Sequence, residues 1–215
     1  MAPLESQSAE AKWLRLRAAY PELSDKPRLA SRVSGWNTQA HADAFERAGI
    51  AHCSLIVELG CWLGQSTLQF LQLAPSCRVI CVDHWRGSPE HLDHPYYKRI
   101  LPNLYERFVV NTWEYKDRIV ALRETTVDGM AVLGELGLDP DFIYVDAGHS
   151  YEAVKTDVET ALRLFPNATV AGDDYHWASV SSAIADLGLA GIVQHNERCW
   201  WITAMHRQRI ISTAR

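Results

Sequence analysis

From residue 55 onward the chain repeats one pattern: a short, mostly apolar run, a turn, then a longer stretch whose apolar positions recur at helical spacing. The apolar runs are 55–59, 79–82, 119–122, 141–145 and 168–171; the amphipathic stretches are 66–74, 96–111, 127–136, 150–164 and 179–186. A strand covered by helices on both faces has no polar side, so it reads as a run rather than as an alternation. Strands alternating with helices build a parallel sheet sandwiched between helical layers. Two last strand-like segments, 191–195 and 199–203, are separated only by Asn196-Glu197-Arg198. That is too short for a crossover helix, so they should pair antiparallel. The expected fold class is therefore α/β: a doubly wound, mostly parallel sheet of about seven strands with an antiparallel C-terminal hairpin at one edge. On that edge strand one ring of Trp200-Trp201 should face the core and the other the surface; the pair is read as core packing, with a homodimer contact through an exposed ring as the alternative.

Upstream, 8–20 reads as a helix stopped by Pro21, and 38–48 as a second helix with Gly49 in the capping position. The expected division is a helical N-terminal extension, 1–50, and a sheet domain, 51–215.

Composition narrows the function classes. A formal net charge of -5 argues against a nucleic-acid partner, which calls for a concentrated basic face. No segment approaches the ~18 uninterrupted apolar residues of a membrane span, and residues 1–20 lack the apolar stretch of a signal peptide. The five cysteines are odd in number and include no C-x-x-C pair. They are expected to be reduced thiols of a cytoplasmic protein, not a zinc site.

In a doubly wound sheet the ligand sits beyond the carboxyl ends of the strands, and those ends carry the polar residues here. The first apolar run leads into VELGCWLGQST, an E-x-G-x-x-x-G turn containing Glu58, Gly60 and Gly64. Gly60 lets the backbone turn tightly and approach a ligand closely; Cys61 and Ser66 lie on the same turn. The spacing departs from the G-x-G-x-x-G dinucleotide fingerprint, which weakens an NAD-dependent oxidoreductase reading. Asp83 ends the second run about twenty residues later, where a carboxylate can accept both ribose hydroxyls. Glu58 is a candidate partner for an ammonium or a sulfonium.

These stretches carry a resemblance. VELGCWLGQSTLQF, VICVDHW, DFIYVDAGHSYEAVKTDVETAL and TVAGDDY resemble the class I S-adenosylmethionine-dependent methyltransferases, whose sheet is Rossmann-like. Within them the chain is most similar to the group that includes the macrolide-sugar (macrocin-type) O-methyltransferases and the cephalosporin hydroxylase-like proteins. The SGWNTQ lead-in is similar too, and the resemblance spans roughly residues 33–204. It implies that Glu58, Gly60 and Gly64 contact the methionine part of S-adenosylmethionine and Asp83 its ribose. Thr125 or Thr126 would lie near the adenine edge, with His84 or Trp85 flanking it.

The acidic strand ends suggest the chemistry. Asp146 and Asp173-Asp174 end neighbouring parallel strands, which lie about 4.8 Å apart, and such carboxylates repel unless neutralised. A divalent cation held by Asp146, Asp173 and Asp174 would do this; oxygen ligands suit Mg²⁺, with Mn²⁺ or Ca²⁺ as alternatives. His149, three residues past Asp146, is the candidate general base. In the catechol O-methyltransferases, which this region also resembles, a lysine stands at that place and an amide-bearing ligand where this chain has Asp174. The expected activity is metal-assisted O-methylation of a small hydroxylated metabolite, a sugar or natural-product hydroxyl. A non-catalytic cofactor-binding accessory protein remains open beside it.

Overall fold

The structure is a computed structural model that describes residues 7–206. In chain order its elements are α1 (Ala9–Ala19), α2 (Gln39–Arg47), β1 (Leu55–Leu59), α3 (Gln65–Leu73), β2 (Arg78–Val82), α4 (Pro89–Leu92), α5 (Pro95–Ile100) and α6 (Leu104–Thr112). They continue with β3 (Ile119–Leu122), α7 (Thr126–Glu135), β4 (Phe142–Val145), α8 (Tyr151–Leu164), β5 (Thr169–Gly172), α9 (Ala178–Asp186), β6 (Gln194–His195) and β7 (Trp200–Ile202).

The strands form one sheet in the order β3-β2-β1-β4-β5-β7-β6. β1 to β5 run parallel, and β7 is antiparallel to both β5 and β6. The chain starts at the centre, winds outward through β2 and β3, and returns to the other side of β1 as β4. The reversal between β1 and β4 is where such sheets bind ligands.

Side chains alternate across the sheet. Val57, Leu59, Ile80, Val82, Ile143 and Val145 pack with Met130 of α7, Val158 of α8 and Ile184 of α9; Trp13 and Leu16 of α1 join this cluster. Ile56, Val79, Cys81, Phe142 and Tyr144 pack in a second cluster with Phe45 of α2, Phe70 of α3 and Phe108 of α6. The parallel strands are buried on both faces, as their apolar runs require.

Two sequence expectations change. The helix expected over 96–111 is broken: α5 ends at Ile100, a 3-10 turn covers Leu101–Asn103, and α6 begins at Leu104. Pro102 is the cause, since it donates no N–H and its ring crowds the carbonyl four residues back. The tryptophan pair is not on an edge strand. β7 lies between β5 and β6, so the short β6 takes the edge, and Trp200 and Trp201 are both buried, one in each core cluster. Neither ring is left to meet a second copy of the chain. No helix among the described residues is long and apolar enough to cross a membrane, and the five cysteines form no disulfide.

Candidate active site

The ends of β1, β2, β4 and β5 open onto one cleft of about 810 Å³, whose wall includes Gly60, Asp83, Asp146, Asp173 and Asp174. Gly60 closes the turn after β1. Its φ is +87°, and a Cβ there would lie 2.1 Å from the Asp146 carbonyl oxygen. Its N–H donates to the Val82 carbonyl at 2.9 Å, so one residue ties together the ends of β1, β2 and β4. Asp83 holds the rest of the turn. Its Oδ2 accepts from the N–H groups of Cys61 (2.9 Å) and Trp62 (3.0 Å), and its Oδ1 from that of Trp85 (2.6 Å).

Several residues of the turn serve it from behind. Glu58 does not line the cleft: it is fully buried beneath it and accepts from the hydroxyls of Ser66 and Thr67. Burial pushes its carboxyl up to about 8, against the pull of those hydroxyls. A protonated carboxyl bridging β1 to α3 is a strut, not the partner of an ammonium or sulfonium. Gly64, at the start of α3, backs onto Thr112 and Phe108. Cys61 and Ser66 reach the cleft wall, but the Cys61 thiol turns inward to the carbonyls of Glu58 and Val82 and the Ser66 hydroxyl to Glu58. Trp85 is a further correction. Its ring packs in the core against Tyr105 and Phe108, and its indole N–H donates to the Trp62 carbonyl at 3.1 Å. Its neighbour His84 lines the cleft instead. Thr125, also on the wall, caps α7: its hydroxyl accepts from Asp128 N–H at 3.2 Å and donates to Asp128 Oδ2 at 2.7 Å.

The acidic end regroups the expected ligands. His149 Nε2 lies 3.3 Å from Asp174 Oδ2 and 3.7 Å from Asp146 Oδ1, and one ligand atom from each of the three falls within 4.8 Å of the others. Burial, with the charges of Asp173 and Asp174 adding to it, raises Asp146 to about 6, while His149 opposes the shift. Asp174, in the left-handed region at φ +55°, is raised by burial and by Asp173. Asp173 turns away from this group. Burial pushes its pKa up, but hydrogen bonds from His41 and the Asp174 N–H, with the nearby Arg198, outweigh that and lower it. His41 is itself fully buried. Its Nδ1 accepts from the Thr38 N–H at 2.9 Å, so Nε2 carries the proton and donates to Asp173 Oδ2 at 3.0 Å. Arg198 Nη2 stands 3.3 Å from Asp174 Oδ1.

The sequence reading missed His41 and Arg198. His41 shows only as the third helical residue after a capping threonine, and Arg198 as a turn residue 24 positions past Asp174. Replacing His41 with leucine leaves a buried carboxylate without its side-chain donor. It should cost about 2 kcal/mol of folding stability, read by urea denaturation.

The segment between β2 and β3 is less open than its polar-aromatic sequence suggests. His91 of α4 stacks on Trp62 at 4.4 Å, and Tyr97 of α5 meets both rings. Trp36, half exposed, completes this group at the cleft mouth.

A family profile described as a methyltransferase domain matches residues 57–175. The chain belongs to this methyltransferase family. The match begins in β1 and ends just past Asp174, so it spans every strand end that opens on the cleft. Among solved structures, the O-methyltransferase TomG of Streptomyces achromogenes, crystallised with S-adenosylmethionine and involved in tomaymycin synthesis, superposes with a TM-score of 0.54 at 14% identity over 92% of this chain and 90% of its own. The calicheamicin methyltransferase CalS11 gives 0.53 at 18% identity over 76% of this chain and 77% of its own. An O-methyltransferase of Bacillus cereus in complex with S-adenosylhomocysteine gives 0.50 at 18%, over 91% and 90%. At such identities the likeness is one of fold, and the doubly wound sheet expected from the apolar runs is the fold shared. No curated protein sequence matches the chain significantly.

Proposed function

We propose that this methyltransferase uses S-adenosylmethionine to methylate a hydroxyl of a small metabolite, a sugar or another natural-product scaffold. The observation that carries the reading is the convergence of Gly60, Asp83, Asp146 and Asp174 on one cleft. The tight Gly60 turn brings bare backbone to the cleft wall. Asp83 Oδ1 accepts from the Trp85 N–H and keeps acceptor capacity for a ribose hydroxyl. The cofactor-bound TomG and B. cereus structures and the sugar acceptor named for CalS11, a TDP-rhamnose 3'-O-methyltransferase, point the same way.

When bound, S-adenosylmethionine supplies an electrophilic methyl group on a sulfonium. The chain's residues would prepare the nucleophile. His149 would take the hydroxyl proton, and the carboxylates of Asp146 and Asp174, which face its Nε2, would stabilise the imidazolium that results. Enclosure in the cleft aligns the oxygen for in-line attack. The donor set also fits a divalent cation such as Mg²⁺: Asp146, Asp174 and His149 bring one ligand atom each within 4.8 Å of the others, with the charge of Asp174 raising the pKa of Asp146 and that of Asp173 raising the pKa of Asp174. They would hold it with Asp173 adjoining, and it would lower the pKa of the hydroxyl.

The test is methyl transfer from labelled S-adenosylmethionine to a panel of hydroxylated sugars and phenols, with and without chelator. His149→Ala should lower kcat by about 10²–10⁴-fold, and chelation should abolish the rate. Turnover that survives chelation removes the cation. A protein that binds cofactor yet methylates nothing on the panel would be an accessory module.

A further inference from the structure

Asp157 sits on α8, on the cleft wall beside Thr125, Thr126 and Val127, and takes no part in the chemistry above. It is 3% exposed. A carboxyl so buried needs donors. Among the described residues it has one, the Thr126 hydroxyl, 2.5 Å from Oδ1. Asp157 lines the cleft, and its Oδ2 accepts from no donor among the described residues. Burial raises the group to about 6, which leaves it ionised at neutral pH.

Its place along the sheet says what it would meet. The ribose-binding Asp83 ends β2. The next strand outward is β3, whose end leads into Thr125 and Thr126. The hydroxyl chemistry lies in the other direction, at β4 and β5. At about 4.8 Å per strand, the β3 end is roughly 19 Å from the β5 end. A nucleoside with its ribose on Asp83 and its sulfur toward Asp146 must lay its base toward β3, where Asp157 waits. A carboxylate there accepts from an exocyclic amine and repels a carbonyl oxygen.

We propose that Asp157 selects the base of the cofactor, its Oδ2 accepting from the 6-amino group of adenine. The inference rests on S-adenosylmethionine being the cofactor and adds a purine-discriminating residue outside the strand-end motifs.

The experiment is calorimetric titration with S-adenosylhomocysteine and its deaminated analogue S-inosylhomocysteine, whose base carries a carbonyl at that position. Wild type should favour the adenosyl compound by at least about 30-fold, because a buried carboxylate facing a carbonyl is left unpaired. Asp157→Asn, nearly isosteric and able to present either an oxygen or an amine, should bring the two within about 3-fold, as should Asp157→Ala if it folds. Binding of both compounds with the preference unchanged in Asp157→Asn overturns this inference alone. Failure of wild type to bind S-adenosylhomocysteine overturns the cofactor reading beneath it.

Discussion

Replacing Gly60 with alanine should lower Tm by roughly 5–15 °C and weaken S-adenosylhomocysteine binding by at least about 100-fold. Two effects add. A residue with a Cβ at φ +87° pays about 1–2 kcal/mol in the left-handed region. The Cβ would also stand 2.1 Å from the Asp146 carbonyl oxygen and 2.7 Å from the Ala147 Cα. Those are backbone atoms, so the turn or the end of β4 must move; overpacking of this kind costs about 1–3 kcal/mol. The total of roughly 2–5 kcal/mol converts to the Tm shift at about 2–4 °C per kcal/mol for a chain of this size. Binding suffers more than stability because the displaced atoms form the cleft wall. Gly64→Ala is the internal comparison. Its φ of +84° carries the same left-handed cost, but the Cβ meets only the side chains of Thr112 and Phe108 and does not face the cleft. It should lose stability while keeping affinity within about 5-fold. Equal affinities for the two variants, measured by calorimetry, would remove Gly60 from the cofactor site.

Glu58→Gln should flatten the alkaline side of the stability profile. The folded-state pKa of Glu58 is raised from 4.5 to about 8, so between those values the native state keeps a proton that the unfolded chain has released. Stability from this group is full below pH 4.5 and falls as pH rises toward 8, at about 1.4 kcal/mol per pH unit. Asp146 and Asp157, each raised to about 6, act with the same sign but are spent above pH 6.5. Between pH 6.5 and 8 the difference between wild type and Glu58→Gln therefore isolates Glu58. Urea denaturation should show the variant gaining on wild type by roughly 2 kcal/mol over that window. Parallel profiles would mean that Glu58 is ionised in the native state, with Ser66 and Thr67 holding the charge.

The sheet was legible because burial on both faces leaves a local mark. An apolar run such as VICV, or LIVEL with its single Glu58, has no other economical use in a helix-alternating chain. The strand-end acids were legible for a related reason: Asp83, Asp146 and Asp173 each follow such a run directly, and strand order then brings them together. What escaped depends on contacts across long separations. His41 reaches Asp173 over 132 positions because α2 packs over the β5 side of the sheet, and nothing near His41 in sequence encodes that. The Trp200-Trp201 strand carries the same apolar signal whether it sits at an edge or one place inside, so its burial on both faces followed from the placement of β6. Glu58 and Trp85 were read as cleft residues from position alone. Which way a side chain turns at the end of a strand depends on neighbours such as Thr67 and Phe108, which belong to helices that pack behind it. Pro102 was visible, and its break in the 96–111 helix follows from elementary backbone chemistry.

The most direct measurement is a crystal structure with S-adenosylhomocysteine bound. The ribose hydroxyls should lie on Asp83, the base beside His84 and Thr126, and the sulfur within reach of Asp146, with His149 and Asp174 facing open space for an acceptor. Nucleoside density elsewhere on the molecule, or a ribose away from Asp83, would contradict the assignment of this cleft.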